Sequence, residues 1–165
     1  MARTNLVCVT NFRQYHFEVT SDISAVDALA QLSFLIQNGL AEIAGAHELS
    51  LIQTRMLGVL RDREPTMNEL GRYLGLDKSS ISGLVDRAER RGLVRRAASP
   101  HDRRAVRVSM TEDGRALARE VEAAFEARVE AYVRGLPIAD RAELARLAAR
   151  VVVNNAPAGL EAGGR

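Results

Sequence analysis

A mainly α-helical chain with one small β-hairpin is the fold class that the sequence predicts. Apolar residues recur at three- and four-residue steps along most of the 165 residues, and capping residues precede the segments with this period. One short stretch changes instead to alternation beside a cluster of turn-forming residues. Hydrophobic residues make up 47% of the chain, which argues against general disorder and allows a buried core.

Two helices are predicted in the first part of the chain. The first runs from about Ser24 to Ala44 with one apolar face, and Gly45 is expected to end it. The second begins at Ser50, because Ser50 and Gln53 have the spacing of a capping box.

A helix-turn-helix is predicted next. Thr66 and Glu69 form a second capping box at the start of a short helix, which Gly75 breaks. Asp77 then caps a helix that runs to Arg91. The second helix of such a pair presents its N-terminal part to the major groove of DNA.

The outer face of this second helix is polar, whereas its inner face is apolar. Serine hydroxyls can contact base edges or phosphates, Gly83 permits close approach to a duplex, and Arg87 can reach a guanine edge. An ordinary amphipathic surface helix is the alternative interpretation. The DNA contacts predicted on this helix are Lys78, Ser79, Ser80, Ser82, Gly83, Arg87 and Arg90.

The hairpin has a basic tip. Residues 93–98 predict one strand, and the alternation of residues 105–110 predicts the other. At the tip, Asp102 can hold one arginine while the other enters a narrow minor groove. A tip made soluble by charge is the alternative. The DNA contacts predicted here are His101, Asp102, Arg103 and Arg104.

Charge is concentrated in the same part of the chain. The formal net charge is only +2, but Arg61 to Arg107 contains 12 basic and 7 acidic residues, against 11 basic and 14 acidic elsewhere. A basic middle between acidic flanks indicates a surface that faces a polyanion. A solvated charged surface is the other explanation.

Residues 67–70, 76–94 and 102–114 resemble the multiple antibiotic resistance regulator (MarR) family. They read MNEL, LDKSSISGLVDRAERRGLV and DRRAVRVSMTEDG. The resemblance covers about Ser24 to Val153 and implies a winged helix-turn-helix with N- and C-terminal dimerisation helices. It further implies a homodimer that places two winged units on palindromic double-stranded DNA, most readily as a repressor. Residues 1–20 depart from the family pattern.

The resemblance also implies that a small molecule or an oxidant can release the DNA. For a small anionic aromatic effector, the predicted contacts are His47, Arg55 and Met56, because Arg55 is a cation within an apolar stretch. Pairing of Arg55 with a nearby acid is the alternative. Cys8, the only cysteine, could sense an oxidant, but its apolar neighbours would raise a thiol pKa.

The sequence predicts no enzyme. It contains no nucleophile elbow, phosphate-binding loop or paired carboxylates on one face, so we expect no catalytic residues and no cofactor. The histidines are not at metal-ligand spacing, so we expect no metal site. A protein-interaction module is the remaining alternative, and salt-sensitive DNA binding would distinguish it.

Without a signal peptide or an apolar run of membrane-spanning length, we expect a cytoplasmic protein with no membrane partner.

Five segments are predicted along the chain. The segments are an N-terminal arm (1–20), a dimerisation helix (21–46), a winged helix-turn-helix (47–111), further dimerisation helices (112–153) and a flexible tail (154–165).

Overall fold

Helices and a single antiparallel hairpin make up the structure, a computed structural model that describes residues 23–98 and 105–155. The mainly α-helical fold class predicted from the sequence is confirmed. In chain order the elements are α1 (Ala25–Ala46), α2 (Leu51–Arg61), α3 (Met67–Leu74), α4 (Lys78–Arg90), β1 (Val94–Ala98), β2 (Val106–Met110), α5 (Glu112–Val133) and α6 (Ile138–Asn155).

Both predicted capping boxes are present. The Ser50 hydroxyl accepts from the backbone N–H of Gln53 at 3.3 Å, and Gln53 Oε1 accepts from the Ser50 N–H at 2.9 Å. Thr66 and Glu69 make the same reciprocal pair at 3.3 and 2.8 Å. Four backbone N–H groups thereby gain a hydrogen-bond acceptor at the starts of α2 and α3, which fixes where these helices begin.

The end of α1 differs from the prediction. Gly45 does not end the helix, which continues to Ala46, and the chain instead turns at Glu48 with a φ of 56°. The guanidinium of Arg91 contacts this turn and donates to the Glu48 carbonyl at 2.6 Å and to the His47 carbonyl at 3.3 Å. The Leu49 N–H also donates to the Ala44 carbonyl at 2.8 Å, so Glu48 takes the left-handed position that glycine usually holds after a helix, and Arg91 binds the carbonyls of this turn.

Besides pairing with each other, the hairpin strands contact the segment before α3, which the sequence did not reveal. Strands β1 and β2 pair antiparallel from Val94 opposite Met110 to Ala98 opposite Val106. On the other side of β2, the Val108 N–H donates to the Pro65 carbonyl at 2.9 Å. The residue after Pro65, Thr66, forms a single antiparallel β-bridge with Arg107 of β2. The hairpin is thus attached along its outer strand to the start of α3.

Gly114 fixes the junction between the hairpin and α5. A Cβ at this position would lie 2.0 Å from the Leu93 carbonyl oxygen, which is far inside van der Waals contact. The hydroxyl of Thr111, the N-cap of α5, also donates to the Gly92 carbonyl at 2.6 Å. The first turn of α5 can therefore approach the end of α4 this closely only with a glycine.

The hydrophobic core lies beneath α2, α3, α4 and the hairpin, with contributions from the end of α1 and from α5. Its fully buried members include Met56, Leu70, Leu84 and Val108. The chain divides into two compact units, and the boundary lies within α1 between Phe34 and Leu35. All of the core residues belong to the second unit.

α6 differs from the other helices of the second unit in having no buried residue. Ile138, Val152 and Val153 are 84%, 68% and 73% exposed. In the first unit, the beginning of α1 also carries exposed apolar side chains, among them Val26 and Leu29. Across residues 23–98 and 105–155, no helix is long and apolar enough to span a membrane.

Candidate functional site

The turn between α3 and α4 positions the predicted DNA-contacting helix. Gly75 takes a left-handed conformation with a φ of 66°, which glycine adopts without steric cost. The Leu76 N–H donates to the Gly71 carbonyl at 2.9 Å, and a Cβ on Gly71 would lie 3.1 Å from the Leu76 carbonyl oxygen. This tight turn lets α4 place its apolar face in the core, where four of its residues are buried: Ile81, Leu84, Val85 and Ala88.

The opposite face of α4 is open. Lys78, Ser79, Ser80, Arg87 and Arg90 are exposed. The two remaining predicted contacts of this helix, Ser82 and Gly83, are half-buried. The structure therefore brings the predicted contacts of α4 onto one accessible face, with its charged and hydroxyl-bearing members outermost.

Asp77 organises the N-terminal end of α4. Its carboxylate accepts from the Ser80 backbone N–H at 2.8 Å and from the hydroxyls of Ser79 and Ser80 at 2.7 and 3.0 Å. These hydrogen bonds, first among them that from the Ser80 backbone, lower the Asp77 pKa to about 2. Both hydroxyl protons are directed at Asp77, so Ser79 and Ser80 present oxygen lone pairs outward.

Arg87 lies over Gly83. A Cβ on Gly83 would come within 3.3 Å of Arg87 Nη1, so the guanidinium covers the position that we predicted would admit a duplex closely. Close approach at Gly83 therefore requires the Arg87 side chain to swing outward. Because Arg87 is exposed and long, such a movement meets little resistance.

Arg96 on β1 joins the hairpin to α4, which the sequence did not reveal. Its guanidinium donates to Asp86 Oδ1 and to Glu89 Oε2, each at 2.6 Å, and to the Ser82 carbonyl at 3.4 Å. Arg90, on the same helix, donates to the backbone carbonyl of Asp86 at 3.3 Å and not to either carboxylate. The two carboxylates on α4 thus share one guanidinium from the hairpin, which offsets one of their two negative charges.

The base of the hairpin is also held in place. Arg107 Nε donates to the Glu64 carbonyl at 2.8 Å, and Arg95 Nε donates to the Ser109 hydroxyl at 3.1 Å. The position of the hairpin beside α4 is therefore fixed at its base. The predicted tip contacts, namely His101, Asp102, Arg103 and Arg104, lie outside the described residues, as does Cys8.

A cavity of about 270 Å³ lies between α2 and α5, and Arg55 is on its wall. Leu40, Val121 and Phe125 supply apolar lining. Arg55 forms no salt bridge with a carboxylate among the described residues. The alternative that Arg55 pairs with a nearby acid thus finds no support in this part of the chain.

The other two predicted effector contacts do not line this cavity. Met56 is fully buried in the core. His47 lies in the turn after α1, where its Nδ1 is 3.8 Å from Glu120 Oε2. We therefore retain only Arg55 in the proposed effector site. No cluster of metal-ligating side chains occurs in residues 23–98 and 105–155.

Comparison with known proteins finds one family. Residues 47–105, from the turn after α1 to the residue before β2, match the model of the MarR family. This segment of the chain is similar to that family. Among curated members, the HTH-type transcriptional repressor NicR of Pseudomonas putida is 41% identical over 71 residues, which are 42% of this chain and 45% of NicR. The chain spans about half the length of the curated relatives it matches.

Solved MarR-family structures share the fold over most of the chain. Wild-type apo MarR from E. coli aligns with a TM-score of 0.68 and 22% identity, covering 79% of this chain and 98% of that one. CouR from Rhodococcus jostii RHA1, solved with p-coumaroyl-CoA bound, aligns with a TM-score of 0.66 and 25% identity, covering 81% and 93%.

Proposed function

We propose that this protein is a MarR-family transcription regulator that binds a palindromic operator in double-stranded DNA as a homodimer and acts as a repressor. The observation that carries the proposal is the two-faced α4, which has its apolar face in the core and its serine and arginine face exposed. A helix held in this way after a tight turn can enter the major groove. The repressor NicR supports the assignment of repression.

The electrostatics of α4 support binding to a polyanion. Asp86 and Glu89 share the guanidinium of Arg96, which offsets one of their two negative charges and so reduces their repulsion of a phosphate. Lys78, Arg87 and Arg90 form no salt bridge with a described carboxylate and remain available to DNA. We propose that the tip residues His101, Asp102, Arg103 and Arg104 extend this surface into the adjacent minor groove.

The homodimer is supported by the exposed apolar surface of α6 and of the start of α1. Side chains such as Val152 would remain in water in a monomer, and a second copy can cover them by two-fold symmetry. Two recognition helices would then meet major grooves about 34–36 Å apart, roughly one helical turn of DNA.

Selection of DNA from a random pool with the purified full chain tests this function. We expect an imperfect palindrome, bound with an affinity that falls steeply as salt rises, because each phosphate contact releases counterions. Transcription in vitro from a promoter carrying the selected site should fall when the protein is added. Failure to enrich any sequence, or binding that does not depend on salt, would instead favour a protein-interaction module.

The cavity between α2 and α5 is the proposed site of a small aromatic acid that releases the DNA. Arg55 supplies a cation beside apolar walls, which is the chemistry that an aromatic carboxylate requires. The structure of CouR with an aromatic acyl thioester is consistent with this class of ligand. The ligand must prefer the conformation that does not fit the operator, since equal affinity for both conformations would shift nothing.

Calorimetric titration with salicylate and benzoate tests the effector site. We expect binding that Arg55→Ala weakens about tenfold, the size of one charge-assisted hydrogen bond. Binding of the acid should also lower operator affinity in a parallel measurement. Equal binding to the wild type and to Arg55→Ala would remove Arg55 from the site.

A further inference from the structure

A hollow of about 330 Å³ lies on the exposed face of α4. Ser79 and Ser80 line it near the start of the helix, Arg87 lines it further along, and Gly83 lies between them. These residues are spaced so that they share one side of the helix. In the proposed complex, base edges would therefore meet α4 at this hollow.

The hydroxyls of Ser79 and Ser80 have one proton each, and Asp77 accepts both. They donate to the Asp77 carboxylate oxygens Oδ1 and Oδ2 at 2.7 and 3.0 Å. Hydrogen bonds from the Ser80 backbone N–H and from the two hydroxyls lower the Asp77 pKa to about 2, so this carboxyl is ionised at neutral pH and can only accept. Each serine oxygen can then only accept a further hydrogen bond.

Turning either hydroxyl away from Asp77 is unfavourable. Hydrogen bonds to an ionised acceptor are roughly twice as strong as neutral ones, so exchanging one for a bond to a base oxygen or nitrogen loses stabilisation. A phosphate oxygen is also an ionised acceptor, but its charge would then lie close to the carboxylate of Asp77, and like charges repel. The two hydroxyls are thus poorly suited to phosphates and to the acceptor groups of bases.

Only two bases can donate to these oxygens in the major groove. Adenine presents its N6 amino group and cytosine its N4 amino group, whereas guanine and thymine present acceptors or a methyl group there. We propose that Ser79 and Ser80 act towards DNA as hydrogen-bond acceptors, and so select an adenine or a cytosine on the strand that faces the start of α4. This inference rests on the proposed DNA binding by α4 and names the base chemistry that the helix reads.

Arg87 gives the other part of the hollow the opposite polarity. A guanidinium only donates, and its commonest specific contact is with the O6 and N7 acceptors of guanine. Residues 80 and 87 are about 10 Å apart along the helix axis, which corresponds to about three base pairs. Each half-site should therefore carry an amino-bearing base and a guanine within about three base pairs of each other.

Single-group changes in the selected operator test this polarity. Purine in place of adenine, or pyrimidin-2-one in place of cytosine, removes only the amino group. Analogues that lack N7, O6 or O4 remove single acceptors, and a methylphosphonate linkage removes one phosphate charge. Each probe is bound to the full chain and to its Ser79→Ala and Ser80→Ala variants, so that a double-mutant cycle subtracts the effect of the probe on the duplex itself.

Removal of an amino group should weaken wild-type binding about two- to tenfold at one or two positions of each half-site, the size of a neutral hydrogen bond. This loss should disappear in Ser79→Ala or Ser80→Ala. Removal of an acceptor or of a phosphate charge should affect the wild type and both variants equally. Both serines are exposed, so thermal unfolding should show that the variants fold.

Asp77→Asn tests the cause of the polarity. Asparagine is an equally good N-cap, but its amide can donate to a serine oxygen and so release that hydroxyl proton towards DNA. Repeated selection should then recover guanine or thymine beside adenine and cytosine at that position. Glu69→Gln is the matched control, because Glu69 also accepts from a backbone N–H and a hydroxyl, those of Thr66, at the start of a helix. It should leave the preference unchanged.

The outcomes separate this inference from DNA binding itself. If a salt-sensitive palindrome is selected but the serine variants couple to an acceptor, to a phosphate or to no probe, the inference is wrong and the proposed function stands. The inference is also wrong if Asp77→Asn keeps the wild-type preference, or if Glu69→Gln relaxes it to the same extent. If no sequence is enriched, the inference and the proposed function both fail.

Discussion

α4 and α6 use their apolar residues in opposite ways. The inner face of α4 is at most 2% exposed at every apolar position, whereas α6 has no buried residue and Ile138 is 84% exposed. Because burial of an apolar face stabilises a helix more than helix propensity does, α4 is held by the core of its own chain. The contrast indicates that contacts within the chain hold the helix-turn-helix and the hairpin, whereas α6 needs a surface that the described core does not provide.

The largest effect on stability should come from a substitution at Gly114, where the hairpin joins α5. Gly114→Ala places a methyl group 2.0 Å from the Leu93 carbonyl oxygen, where backbone must move. We expect a loss of about 4 kcal/mol in the free energy of unfolding, at the upper end for a single substitution. Urea denaturation measures this loss. Gly45→Ala, which has open space, should not destabilise the protein, and a similar loss in both variants would show that the close approach is not the cause.

A charge on α6 should weaken association while leaving the helix-turn-helix and the hairpin folded. Leu147→Asp replaces an apolar side chain that is 45% exposed, and in the proposed dimer this change occurs in both copies. We expect association to weaken by about 3 kcal/mol, from the lost burial of two leucines. Sedimentation velocity at micromolar concentration measures it, with Val106→Asp on the exposed start of β2 as the control. A wild-type protein that sediments as a monomer contradicts the proposed dimer outright.

A smaller effect, on operator binding, is expected from a substitution on the exposed face of α4. Arg87→Ala should weaken operator binding by about 1–3 kcal/mol if the guanidinium reads a base edge, and the preference at one position should relax. Arg119→Ala is the control, because it removes one exposed positive charge from α5. Equal losses in the two variants would indicate an effect of net charge rather than a contact on α4.

The smallest effect concerns pH. The Asp77 pKa is lowered from 3.8 to about 2 by the hydrogen bonds at the start of α4. A carboxyl with a lower pKa in the folded state stabilises that state above pH 3.8 and loses its contribution as the pH falls through about 2. The stability difference between wild type and Asp77→Asn should therefore be constant from pH 7 to pH 5 and shrink towards pH 2. A difference independent of pH would show that the charge of Asp77 is not involved.

Local patterns in the sequence predicted much of this structure correctly. The capping boxes at Ser50 and Thr66 form as expected, because their hydrogen bonds join residues only three positions apart. The buried face of α4 follows from helical period alone. Such features depend on neighbours along the chain, which are visible in the sequence.

The features that were missed depend on contacts across the chain. The ion pairs of Arg96 with Asp86 and Glu89 arise only when β1 folds back along α4, and the Glu48 carbonyl accepts from Arg91, 43 residues away. Arg95-Arg96 shortly after two acidic residues on a helix was a signal that could have indicated the first of these. Met56 follows Arg55 in the sequence, but successive residues of a helix face directions about 100° apart, and Met56 lies in the core.

The contact made by Arg91 has a mechanical consequence. This residue directly follows α4, and its guanidinium is attached to two carbonyls of the turn that leads from α1 into α2. The end of α4 and the start of α2 are therefore pinned together, so tilting one helix applies torque to the other. A molecule that rotated α2 would therefore also strain the two hydrogen bonds that join the turn before α2 to the end of the proposed DNA-contacting helix.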